Sequence, residues 1–358
     1  MGRFERLAIA TSASLVLGMF VISSLYPVNT GTGSPRSILH LDVSTLKQAH
    51  QNARAKDHLA DVFNTVEVKV VAGANIAQPS HLAKDVSQAF QNIGFDLDEV
   101  RRGSSEVPPV FLNKMPIDLA SLREVKFRKQ IFFQTVLPLV LQANEEIRVE
   151  RERLISLTRQ LEDGTRLLPQ DRLWLIVLAE RYKTARGNYG ELIKRVDSIP
   201  VSLALAQAAE ESGWGTSRFV HEGNAIFGQW TWSKGKGIVP GQREEGKSHK
   251  VRAFDSLLDS VRAYMKNLNT HRAYRELRGM RSVKRKSPGF VDGYQLAGHL
   301  NRYSERGEKY VSALKAIINV NKLRHLDRAK LGQPSELPPV SGRRLTQSNI
   351  GLIGKSAS

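Results

Sequence analysis

The chain of 358 residues contains no cysteine. Disulfides, cysteine nucleophiles and thiolate metal sites are therefore excluded, although this absence does not fix the redox compartment. Histidines are few, and His221, His249, His271 and His299 are too scattered along the sequence to suggest a metal site. No cofactor motif is present, so none is expected. Zinc-finger spacings, helix-turn-helix cues and ribonucleoprotein motifs are also missing, which argues against nucleic acid as a partner. Negative charge is scarce: 35 Asp and Glu face 53 Lys and Arg, for a net charge of +18. Such an excess implies an anionic partner or surface.

Long apolar runs are rare too, with one exception. Residues 7–26 form an uncharged stretch of about twenty residues, enough to cross a bilayer. Arg3 and Arg6 precede it, so the positive-inside rule places the rest of the chain outside the cytoplasm. An uncleaved inner-membrane anchor is the favoured reading, and a cleaved signal peptide is the alternative. Residues 27–37 read as a flexible linker by composition.

The rest divides into three parts. Residues 38–190 read as a helical accessory region: a polar helix at 39–64, a short strand at 66–72, a helix at 80–91, and a strong helical pattern over 119–161. Pro138 lies inside that last pattern and should kink or divide it. Further helices are expected at 172–183 and 188–196. Residues 191–325 read as a separate domain, with a small β-hairpin lobe after residue 232 and helices at 256–268, 273–278, 293–300 and 308–323. The run R-S-V-K-R-K-S-P-G at 281–289 reads as a basic loop, and 326–358 as a disordered tail.

The organising stretch is residues 198–232. Ser198 is placed to cap a helix with Pro200 in its first turn, and Gly213 or Gly215 must end it. Glu210 and Glu211 therefore fall in the last turn, at the negative end of the helix dipole, where acids are not stabilising. Adjacent residues point about 100° apart on a helix, so one acid can face solvent and the other a cleft beside Trp214. A carboxyl against apolar surface gains a raised pKa, as a general acid needs near neutral pH.

The run A-Q-A-A-E-E-S-G-W-G-T-S followed by G-N-A-I-F-G resembles the signature A-x-x-E-S-x-W-G-x-S of bacterial glucosaminidases of glycoside hydrolase family 73. The segments V-P-P-V-F-L-N-K-M-P and L-P-L-V-L-Q-A-N-E-E-I extend the resemblance to the Bax-type proteins of Gram-negative bacteria, over roughly residues 107–325. The resemblance implies a lysozyme-like α+β fold, mainly α, with a helical lobe, a small β lobe and a cleft between them. It also implies an endo-β-N-acetylglucosaminidase that cleaves the GlcNAc-β-1,4-MurNAc bond of peptidoglycan strands, facing the periplasm. Glu211 matches the family's Glu and becomes the general acid. The second catalytic group is left between Glu244 or Glu245 on the hairpin lobe and the substrate's own acetamido oxygen. Tyr303 and Tyr310, in R-Y-S-E-R-G-E-K-Y, match two tyrosines of the family, although the intervening E-R-G departs from its pattern. Asn224 matches a turn-holding Asn. Phe227, Trp230 and Trp232 are candidates for one wall of a sugar cleft. Two other classes stay open: a non-catalytic, basic peptidoglycan- or membrane-binding protein, and a muramidase or lytic transglycosylase.

Overall fold

The computed structural model describes residues 82–231, 237–240, 250–287 and 290–333. The expected anchor, linker, helix at 39–64 and strand at 66–72 lie outside these residues, as do Trp232, Glu244, Glu245 and residues 334–358. Eleven α-helices are described. They are α1 (Ala83–Asn92), α2 (Leu97–Arg102), α3 (Val125–Glu162), α4 (Pro169–Arg181), α5 (Tyr189–Arg195), α6 (Val201–Ser212), α7 (Arg218–Gly223), α8 (Leu257–Thr270), α9 (Arg275–Arg285), α10 (Gly293–Ala297) and α11 (Glu308–Val320). A three-stranded antiparallel sheet of β1 (Trp230–Thr231), β2 (Gly237–Ile238) and β3 (Lys250–Arg252) has β3 in the middle. Trp230 and Ile238 both pair with Val251. The protein is thus α+β and mainly α. Among the described residues no helix is long and apolar enough to cross a membrane.

The fold is built around α6. Its small and apolar side chains, from Val201 to Ala209, are buried on every side. It touches α3, α10, α11 and the 3-10 turn Leu323–Arg328. Small residues such as Ala204, Ala206, Ala208 and Ala209 let these neighbours approach closely. At Gly293, which opens α10, a Cβ would stand 2.2 Å from Ser202 Oγ, so only glycine fits against α6 there.

The start of α6 differs from expectation. Pro200, not Ser198, occupies the N-cap position, and it has no side chain to offer. The acceptor comes from the far end of the chain. The Ser202 amide and hydroxyl each donate to Asp327, at 2.7 Å, and the Gly293 amide donates to the same carboxylate at 3.2 Å. Asp327 therefore satisfies a free N–H at the first turn of α6. The tail expected from residue 326 begins later. Leu326 is buried, and residues 330 and 332 bond the Val107 backbone across a parallel bridge with Leu331.

Two more expectations are corrected. Helix α3 continues through Pro138 without division. The ring costs one backbone bond, but residues 131–143 are buried there against α6 and α8, and that packing holds the helix. The basic run does not start a loop at residue 281, since α9 extends to Arg285. Arg281 is fully buried and donates to the carbonyls of Lys194, Asp197 and Ser198 and to Asn269. Asp197 is buried as well, and it takes a twin hydrogen bond from Arg285. These arginines clamp the loop that leads into α6.

Candidate active site

Helix α6 ends at Gly213, whose left-handed backbone (φ 57°) is what a helix C-terminus requires. Trp214 (φ 62°) and Gly215 (φ 79°) continue in the same conformation. A left-handed tryptophan is strained by roughly 1–2 kcal/mol. Packing offsets this: the indole meets Phe132 and Phe133 edge to face, with Lys129 over its ring. Trp214 is thus committed to α3 and does not line the cleft, contrary to the role expected of it.

Glu210 and Glu211 do divide as adjacent helical residues should. Glu210 pairs with Arg306. Glu211 lines a cleft of about 1250 Å³ together with residues of the β-sheet, α8 and the turn at 303–306. The floor of the cleft is one stripe of α8: Asp259, Arg262, Ala263, Lys266, Asn267 and Thr270, at helical spacing. Phe227, Trp230 and Tyr303 also line it. Trp230 is 57% exposed, whereas Phe227 is buried and stacks on Tyr264 with centroids 3.8 Å apart.

Asn224 performs a structural task. It has a left-handed backbone at the end of α7 and donates to the carbonyls of Phe254 and Asp255. It holds the connection from β3 to α8 and is not part of the cleft lining.

Tyr310 lies behind the cleft. It is fully buried, stacks parallel to Tyr303 at 5.4 Å, and its hydroxyl is close enough to the Glu211 carboxyl to act on its charge. A chain of donors leads to this hydroxyl. The Tyr264 hydroxyl donates to Gln207 Oε1 at 2.7 Å, and Gln207 Nε2 donates to the Tyr310 oxygen at 2.9 Å. With its oxygen occupied, the Tyr310 proton is left for Glu211. Gln207 sits one helical turn before Glu211, in the motif itself, yet neither it nor Tyr264 stood out in the sequence. Helical i to i+4 spacing was the available signal.

Burial pushes the Glu211 pKa up, with a smaller push from Glu210, while the Tyr310 hydroxyl and Arg306 oppose the rise. Tyr264, Tyr274, Tyr303 and Tyr310 are all raised, first by burial, with the Glu211 charge adding to each. Tyr274 reaches about 12. These phenols therefore remain protonated donors around a carboxyl that tends to hold its own proton. Such an arrangement can give a proton to a substrate oxygen in the cleft and hold the resulting carboxylate through Tyr310. Among the described residues no group of three His, Asp or Glu is placed to hold a metal ion.

Residues 187–323 match the family described as mannosyl-glycoprotein endo-beta-N-acetylglucosaminidase. The protein named Protein bax of Escherichia coli (strain K12) is 35% identical over 201 residues, which cover 54% of this chain and 70% of that protein. No solved structure matches.

Proposed function

The chain belongs to the Bax-type proteins that carry a glucosaminidase domain, and on that premise we propose that it is a peptidoglycan hydrolase with Glu211 as its general acid. At the level of the family it is a glycosidase acting on glycans. The finer reading is an endo-β-N-acetylglucosaminidase that cleaves the GlcNAc-β-1,4-MurNAc bond, in a lysozyme-like arrangement of helical and β lobes.

One observation carries this reading: a half-buried carboxyl at the wall of a large cleft, its pKa raised by burial, with the buried Tyr310 phenol behind it. Glycoside hydrolysis needs such a proton donor at the leaving oxygen. The cleft exceeds the roughly 300–1,000 Å³ typical of small-ligand pockets, which suits a polymer. Trp230 and Tyr303 offer ring faces to the apolar faces of sugars, with Phe227 behind. Glu244 and Glu245 lie outside the described residues, and the second group stays between one of them and the substrate's acetamido oxygen. Under the second route Tyr310 and Tyr303 are the tyrosines that orient the site. The apolar run at 7–26 supports a tether to the inner membrane with the cleft facing the periplasm.

The test is hydrolysis of purified sacculi, followed by gel zymography and analysis of the released muropeptides. Wild-type protein should clear murein and release GlcNAc reducing ends. Glu211→Gln should lose about 10²–10⁴ of the rate, the usual contribution of a positioned acid. Equal clearing by Glu211→Gln defeats the assignment. MurNAc or anhydro ends would assign a muramidase or transglycosylase instead.

A further inference from the structure

Five basic side chains line the cleft, Lys183, Arg252, Arg262, Lys266 and Arg306, alongside the acids Glu211, Asp255, Asp259 and Glu305, and three of the five have no part in the proposed chemistry. Lys183 follows α4 in a left-handed turn, Arg252 lies on the central strand β3, and Lys266 lies on the α8 stripe. Three separate elements thus bring cations to one cleft. They are close enough to sense each other: Lys183, Arg252 and Arg181 all depress the Lys266 pKa, after burial, and only Glu150 opposes them. Arg181 is already neutralised by Glu150. Lys183, Arg252 and Lys266 form no ion pair with any described residue, while neighbouring charges are satisfied. Asp259 pairs with Arg262, Arg262 also with Glu146, and Glu210 with Arg306. The Arg252 guanidinium is held over the Phe254 ring at 4.8 Å, and Phe254 also lines the cleft.

Gathering like charges that no described residue pairs is unfavourable for stability, and the arrangement makes sense when an anion completes it. The place is defined by Asn267, which neighbours Lys266 on α8 and lines the cleft together with Tyr274, one of the phenols around Glu211. An anion held here would ride on the same ligand that meets Glu211.

We propose that Lys183, Arg252 and Lys266 form a carboxylate-binding subsite that selects glycans bearing an acidic substituent over neutral glycans of the same backbone. This rests on the reading of the cleft as a glycan site. In peptidoglycan the carboxylate has two sources, the lactyl group of muramic acid or the peptide attached to it. Chitin oligosaccharides share the β-1,4 N-acetylglucosamine backbone and have neither. Lysine and arginine supply the charge-assisted hydrogen bonds that a carboxylate accepts.

The test is calorimetric binding to the full chain of three tetrasaccharides: chitotetraose, peptide-free murein glycan with its lactyl carboxylates, and the same glycan carrying stem peptides. The acidic glycans should bind at least about tenfold more tightly than chitotetraose, and added salt should erode the gap. Which of them binds more tightly identifies the source of the carboxylate. The triple variant Lys183→Gln, Arg252→Gln, Lys266→Gln changes only exposed side chains, so its melting should stay close to wild type. It should bind all three within about twofold of one another, with chitotetraose unchanged. Equal binding of the three glycans by wild type overturns the subsite while leaving the glycan reading intact. So does a triple variant that keeps the preference, or one that loses chitotetraose as well. Failure of all three glycans to bind overturns the glycan reading, and the subsite with it.

Discussion

Glu211 owes its behaviour to one amide. Gln207 accepts from Tyr264 and donates to Tyr310, and this fixes which way both phenol protons point. The Tyr310 proton then reaches Glu211, where it favours the ionised carboxyl and partly cancels the effect of burial. Replacing Tyr310 with Phe removes the restraint, so the Glu211 pKa should rise further. A general acid works while protonated, and the alkaline limb of the activity profile reports its ionisation. That limb should move to higher pH in Tyr310→Phe, and the maximal rate should fall because the carboxylate left after proton transfer loses its donor. A profile superimposable on wild type would remove Tyr310 from the site. Gln207→Leu tests the same chain one step back. It leaves the buried Tyr264 hydroxyl without an acceptor and the Tyr310 oxygen without its donor, at a cost of about 1–3 kcal/mol in stability, read from denaturant midpoints. It should also move the alkaline limb in the direction seen for Tyr310→Phe, which loss of packing alone would not do.

Among the elements, α6 carries Glu211 and depends on a carboxylate 125 residues away for its first turn. Burial pushes Asp327 up to about 6 from 3.8, while the donors on Ser202 and Gly293 restrain it. Between about pH 4 and pH 6 the folded chain therefore holds a proton that the unfolded chain has released. The stability this group contributes is complete below that window and declines as pH rises through it. Asp327→Ala should flatten that part of the curve of melting temperature against pH. It should also cost about 1–3 kcal/mol near neutrality, because three donors lose their acceptor. An unchanged slope in the variant would rule out Asp327 as its source. The loop before α6 has its own dependence: Arg281→Leu should destabilise by about 3–5 kcal/mol, since it removes the buried cation paired with Asp197 and strips several carbonyls of their donor. Neither feature was legible in the sequence, and the reason is the same. Periodicity and capping rules read neighbours, so they found α6, its glycine stop, the split between Glu210 and Glu211, and α8. They assigned Asp327 to a tail and Arg281 to a loop because a polar residue in a basic stretch looks solvated until its distant partner is known. Trp214 misled for a related reason. Its closeness to Glu211 in sequence suggested a shared cleft, but three left-handed residues in a row turn the indole toward α3.

For the molecule as a whole, the helices before residue 187 and the residues after it pack together. One continuous core runs from Ala83 through α3 and α6 to Leu326. Phe132 and Phe133 of α3 hold the turn that follows Glu211, Gln134 donates to the Phe95 carbonyl, and the Val107 backbone is bonded by residues 330 and 332. The helices before residue 187 therefore serve as a wall against which the site is assembled. Residues 187–323, which match the family, omit that wall, and they also omit Leu326 and Asp327. Cut out alone, this segment would expose the apolar faces of α6 and Trp214 and lose the α6 cap. The described region should accordingly unfold as one unit, with calorimetry, helical circular dichroism and tryptophan fluorescence giving coincident transitions. The isolated 187–323 segment should lack a cooperative transition and should bind a hydrophobic dye such as ANS. Two separate transitions in the full chain, or a segment that melts as sharply as the full chain, would mean that the helical wall is an appendage and that Glu211 keeps its setting without it.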